Sequence, residues 1–139
     1  MTQCTVCKSK NIKSFTAIET VLYKGNKLKV PLEYSVCNGC GREFVPKPQI
    51  LRGESELRKA KKTFDGLLSS EEIVRARAEL SISQEQASMV FGGGKNAFSK
   101  YERGEVSQSV AMDKLIRVCL KHHNVFKELA LKAGVELSS

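Results

Sequence analysis

Two Cys-x-x-Cys pairs constrain this chain most: Cys4 with Cys7 near the start, and Cys37 with Cys40 after an interval of 29 residues. Each pair can fold into a tight knuckle that presents two sulfurs. A strand hairpin in the interval would bring the two knuckles together as a four-sulfur tetrahedral site. Secreted disulfide scaffolds favour an even cysteine count, and this chain has five, Cys119 being the fifth. A redox Cys-x-x-Cys of the thioredoxin type needs a βαβ setting that the pattern does not supply. Disulfides and redox chemistry therefore stay as alternatives to the favoured reading, one structural zinc held by Cys4, Cys7, Cys37 and Cys40. Four thiolates close the coordination sphere, so such an ion makes a small domain fold. Lys8, Gly39 and Gly41 suit knuckles whose backbone amides point at sulfur.

The interval itself reads as short strands. Phe15, Val21, Leu28, Val30, Tyr34, Val36 and Phe44 recur with a loose period of two, and Lys24-Gly25-Asn26 supplies a turn. Pro46-Lys47-Pro48 is expected to end the region, followed by a polar helix over 54–64 that Asp65-Gly66 breaks. Beyond Gly66 the period becomes helical. Ser69 with Glu72 and Ser83 with Gln86 fit capping boxes, and helices are expected over about 70–80, 84–91, 95–103, 110–121 and 125–133, with stops at Gly104 and Gly134. The expectation is an α+β chain: a small N-terminal zinc-binding β domain, residues 1–65, then an all-α five-helix domain, residues 66–139.

Composition narrows the function. With 139 residues, 41% of them apolar, the chain can bury compact cores. No apolar run is long enough to span a membrane, and MTQCTVCKSK lacks the apolar stretch of a secretion signal, so a cytoplasmic protein is expected. The net charge of +8 suggests a polyanionic partner. Residues 1–62 hold ten lysines and three arginines against five acids, whereas residues 63–139 hold six lysines and four arginines against ten acids. All the net positive charge thus belongs to the first part. No Ser/His/Asp or Cys/His set assembles, and His122 and His123 lack accompanying ligands, so no enzyme is expected. Cys119 reads as a small buried residue, Met89 and Met112 as core filler. Arg58-Lys59-Ala60-Lys61-Lys62 reads as a solvated helix face that could also meet phosphate or an acidic partner.

The stretch FGGGKNAFSKYERG, residues 91–104, carries the sharpest functional signal. At about 100° per residue, Ala97, Phe98 and Tyr101 share one face, while Lys95, Asn96, Ser99, Lys100 and Arg103 share the other. An amide that can bind adenine in two places, cations for guanine or phosphate, and small residues are what a DNA-reading helix offers the major groove. The preceding helix turns Ala87, Val90 and Phe91 inward, and Gly92-Gly93-Gly94 makes the sharp turn. Together they form a helix-turn-helix. The alternative is an amphipathic surface helix beside a flexible loop.

SxSQEQASxxF followed by GGGKNAFSKYERG resembles the Xre/Cro-type helix-turn-helix. FGGG-x-NAFS-x-YE in particular resembles the MqsA antitoxin family, which places a YgiT-type zinc finger ahead of it. The resemblance implies base reading by Asn96 and Lys100, and a phosphate contact by Gln84. It also implies a zinc domain that grips a small ribonuclease toxin. Lys100 stands where the family pattern has arginine, and a lysine lacks the planar fork that grips guanine in two places. The expected function is an antitoxin that neutralises its toxin and, as a homodimer on palindromic DNA, represses its own operon. A zinc-containing helix-turn-helix regulator without a toxin is the alternative.

Overall fold

The computed structural model describes residues 3–137. The chain divides into two compact units, one up to Lys61 and the other from Lys62.

The first unit is built on β1 (Ile12–Tyr23) and β2 (Asn26–Cys37), paired antiparallel in unbroken register from Ile12 opposite Cys37 to Tyr23 opposite Asn26. The expected short strands are two strands of 12 residues. Lys24 and Gly25, at φ 49° and 76°, form the two-residue turn whose twist matches that of the flanking strands. β3 (Glu43–Phe44) adds two residues beside Ser35 and Val36, giving the order β1-β2-β3.

Helix α1 (Lys47–Asp65) begins seven residues before the expected polar helix. Pro46 and Pro48 do not terminate structure here. Pro46 lies just outside the helix and its carbonyl accepts from Gln49 and Ile50, while Pro48 occupies the first turn, where a missing N–H costs nothing. Tertiary polar contacts fasten this start. Ser35 Oγ donates to Gln49 Oε1 at 2.9 Å, and Gln49 Nε2 donates to Ser14 Oγ at 3.2 Å, with Ser35 and Gln49 both buried. One turn on, Arg52 grips both carboxylate oxygens of Glu33.

The second unit contains α2 (Ser70–Leu80), α3 (Gln84–Phe91), α4 (Ala97–Glu102), α5 (Val110–Lys121) and α6 (His123–Ala133). With α1 the described residues hold six helices. Both capping boxes form: Ser69 accepts from Glu72 N–H and Ser83 from Gln86 N–H, while the Glu72 and Gln86 side chains bond back to the cap amides. Gly134 closes α6 in the left-handed region.

Ile73, Ala87, Phe98, Ile116, Cys119, Phe126 and Ala130 make the centre of the core. Phe91 lies 5.7 Å from Phe98 and 6.3 Å from Phe126, ring centre to ring centre. Cys119 is fully buried, and burial raises its pKa. Met112 packs against this core, but Met89, expected there too, is 52% exposed, because Ala87, Val90 and Phe91 already fill the inward side of the short α3. Lys62 departs most from expectation. Instead of lying on a solvated face, it is buried, its Nζ has no hydrogen-bond partner, and burial lowers its pKa.

A buried carboxylate ties the α1–α2 connection to α5. Asp113 accepts from the Leu68 N–H at 2.8 Å, from Gln108 Nε2 at 3.0 Å and from Arg117 Nε at 2.8 Å. Burial alone would raise its pKa, but these donors outweigh it and hold the carboxyl below its ordinary range.

Candidate functional site

The two cysteine pairs fold into knuckles of the same geometry. In the first, Cys4 N–H donates to Ser9 O and Lys8 N–H to Cys4 O; in the second, Cys37 N–H donates to Arg42 O and Gly41 N–H to Cys37 O. The residue after each second cysteine is left-handed, Lys8 at φ 65° and Gly41 at φ 77°. Gly39 meets the opposing knuckle so closely that a Cβ there would lie 2.9 Å from Ser9 Cβ and 3.3 Å from Cys7 Sγ. Arg42 Nη1 to Thr5 Oγ1, at 2.7 Å, and Asn38 N–H to Asn11 O, at 2.9 Å, link the two knuckles further.

This backbone gathers the four sulfurs within 4.8 Å of one another, with Cys4 Sγ 3.8 Å from Cys40 Sγ and Cys7 Sγ 3.4 Å from Cys37 Sγ. A tetrahedral zinc with bonds of about 2.3 Å separates its sulfurs by about 3.8 Å, so the set fits. A disulfide requires about 2.05 Å, and the antiparallel hairpin is not the βαβ setting of a redox pair.

The electrostatics prepare the same role. Amide N–H groups of Cys7 and Val6 point at Cys4 Sγ and, despite burial, lower its pKa to about 6. Those of Cys40, foremost, and Gly39 lower Cys37. The Ser9 amide pulls Cys7 down, but the Cys37 thiol, burial and the remaining thiols push it up to about 12. The four sulfurs cannot all be anionic side by side without a cation, and a bound divalent ion supplies that charge. The four cysteines are positioned to bind one metal ion, and their all-sulfur tetrahedral set is that of zinc. Cys4 and Cys37 are buried, Cys7 and Cys40 exposed. Among the described residues no other group of three or more such ligands converges.

The second site lies on α3, the glycine turn and α4. Gly92, Gly93 and Gly94 have φ of 90°, 97° and 99°, a conformation costly to any residue with a Cβ. At Gly93 a Cβ would also meet Ala97 Cβ at 3.0 Å and the Tyr101 hydroxyl at 3.3 Å. The turn lets α4 settle with Ala97, Phe98 and Tyr101 buried. Regular α-helix covers six residues rather than the nine expected. Lys95 and Asn96 belong to the turn before it, where Gly94 still holds the chain outside helical angles, and Arg103 is its cap, followed by Gly104 at φ 72°.

Lys95, Asn96, Lys100 and Arg103 are exposed and Ser99 half-buried. Asn96 makes no side-chain cap hydrogen bond. Arg103 is engaged locally: Nη1 donates to Ser99 Oγ at 2.7 Å, and the guanidinium pairs with Glu105 at 3.0 Å. Gln84 Nε2 donates to Glu102 Oε1 at 3.2 Å. Glu102, which the helical period sets off the polar sector, is a residue to which the sequence assigned no role. Arg77 clamps it from α2 through Nε and Nη2, each at 2.9 Å, and also donates to Ile82 O. The signal available was the one acid of α4, set apart from its amide-and-cation face; its partner, 25 residues away, was not readable.

No helix of the described residues is long and apolar enough to cross a membrane. The sequence pattern of the MqsA antitoxin component of bacterial toxin-antitoxin systems matches residues 2–130. Antitoxin MqsA of Escherichia coli (strain K12) is 44% identical over 62 residues, which cover 45% of this chain and 47% of that protein, so the match spans about half the length of the relative. With 129 of 139 positions inside the family pattern, the chain belongs to the MqsA family of antitoxins of bacterial toxin-antitoxin systems.

Proposed function

We propose that this antitoxin reads DNA with α4, represses its own operon as a homodimer and neutralises a toxin through its zinc unit. The observation that carries the DNA reading is the two-sidedness of α4, with Phe98 and Tyr101 buried beneath exposed Asn96 and Lys100. In the major groove Asn96 would bind adenine in two places and Lys100 would donate to guanine or phosphate. Lys95, Ser99, Arg103 and Gln84 would contact the backbone and hold the register. Arg103 and Gln84 would exchange their present partners, Glu105 and Glu102, for phosphate. The zero net charge of residues 63–139 does not oppose this, since cations local to the helix set the field at the groove. Val110 and Leu131, 55% and 81% exposed, are apolar surface of the kind a dimer covers.

A tetrathiolate ion leaves no open position for substrate, which supports a structural metal in a binding protein rather than an enzyme.

The experiment is titration of the full chain on DNA from upstream of its own reading frame and on random DNA. Asn96→Ala is expected to lose about 1–3 kcal/mol on the former and little on the latter. An equal loss on both would overturn base reading.

One observation favours a regulator acting without a toxin: the whole excess positive charge lies in residues 1–62. If that charge serves DNA, replacing exposed Lys13, Lys27 and Lys29 by glutamine flattens the salt dependence of binding by about one unit of slope per phosphate contact. An unchanged slope leaves the zinc unit for a protein partner.

A further inference from the structure

An open groove of about 930 Å³ runs over the first unit, its floor formed by apolar side chains that include Val21, Leu32 and Ile50. Ile50 is 46% exposed. The charge around this groove is unlike that of the rest of the unit. Residues 1–62 hold only five acids, and four of them, Glu19, Glu33, Glu43 and Glu54, line it. Arg52 holds Glu33. Glu19, Glu43 and Glu54 are exposed, and none of their carboxylates has an ion-pair or hydrogen-bond partner among the described residues.

We infer that this groove seats a lysine- or arginine-bearing apolar segment of the toxin, a reading that rests on the toxin-binding role proposed above. Apolar side chains of the segment would cover the floor, and its cations would meet the three free carboxylates. The exposed lysines elsewhere on this unit, among them Lys13, Lys27 and Lys29, repel a basic segment from other approaches, so the field both attracts it and sets its orientation. A cavity of this size takes several side chains. An acidic partner is turned away from the groove by the same carboxylates.

The test uses the zinc-loaded full chain and, as probe, the product of the adjacent reading frame. The Glu19→Gln, Glu43→Gln, Glu54→Gln variant is compared with one carrying the same charge change on the second unit, at Glu79, Glu85 and Glu128. Zinc content and the far-ultraviolet spectrum check that both fold. The expected result is a loss of about tenfold or more in affinity for the groove variant, with a flattened salt dependence, and a change of less than about twofold for the control. Ile50→Ser is expected to weaken binding without altering the salt dependence. If wild type binds the probe and the groove variant binds it equally well, the inference fails while toxin binding stands. If wild type does not bind the probe, toxin binding fails and the inference with it. Loss of self-association in the groove variant, with toxin affinity intact, would assign the groove to a second copy of the chain and overturn the inference.

Discussion

Arg77 on α2 holds Glu102, the last residue of α4, by two parallel hydrogen bonds of 2.9 Å. The carboxylate is 6% exposed and the guanidinium 23%. The pair fixes the end of α4 to the body of its unit, and Gln84 at the start of α3 joins the same carboxylate. Three helices therefore meet on one charge.

Removing Arg77 leaves that carboxylate buried without its cation. Breaking a fully buried pair costs about 3–5 kcal/mol, and partial exposure reduces this to about 2 kcal/mol for Arg77→Met at neutral pH. Burial raises the pKa of Glu102, but hydrogen bonds from Arg77 and Gln84 outweigh it, and the folded-state value is depressed. The stabilisation is thus complete above the unfolded value of about 4.3 and is lost as pH falls through the folded value. Asp113 acts with the same sign. Thermal unfolding of wild type should lose stability below about pH 4, and the difference between wild type and Arg77→Met should shrink over the same range. A difference that does not change with pH would place the effect outside this pair.

Gly93→Ala should destabilise the second unit by about 1–3 kcal/mol from backbone strain alone, and more from the contact with Ala97. Thermal unfolding measures the loss. If strain at the turn also displaces α4, affinity for upstream DNA falls while affinity for random DNA changes less. An alanine variant as stable as wild type would show that the turn can relax.

Cys37→Ser removes one of four ligands, and metal affinity in such sites is folding free energy. Amide signals of β1 and β2 should collapse in this variant, and in wild type after chelation, while those of α2 to α6 persist. Chelated protein with unchanged signals from residues 12–37 would rule out a structural metal.

Phe98 is 2% exposed and touches both Phe91 and Tyr101. Truncation to alanine should cost about 3–5 kcal/mol, enough to melt most of a unit of this size. The readout is the denaturant midpoint at unchanged slope. A loss below about 1 kcal/mol would mean that the surrounding rings close the cavity.

Much of this architecture was determined by the sequence alone, wherever the interaction that decides it spans only a few residues. The capping boxes at Ser69 and Ser83 join positions three apart. The inward face of α4 repeats with the helical period, and each knuckle closes between a cysteine and the residues four and five ahead of it. Such contacts form in whatever fold contains them. The cysteine pairs also announced a long-range contact, because sulfur set in two matching pairs has few uses besides a shared metal.

Tertiary structure alone decided the rest. Helix α1 starts at Lys47 because Gln49 reaches Ser35 and Ser14 across the hairpin, which outweighs the local warning of two prolines. Lys62 is buried although its neighbours Arg58 to Lys61 read as one solvated run. The partner of Glu102 lies 25 residues upstream, and four glutamates spaced from Glu19 to Glu54 come to line one groove only when the hairpin and α1 are laid together. Periodicity tells which side of an element is apolar. Which distant charges that side meets depends on register and packing, and these emerge only from the whole chain minimising buried, unpaired groups at once.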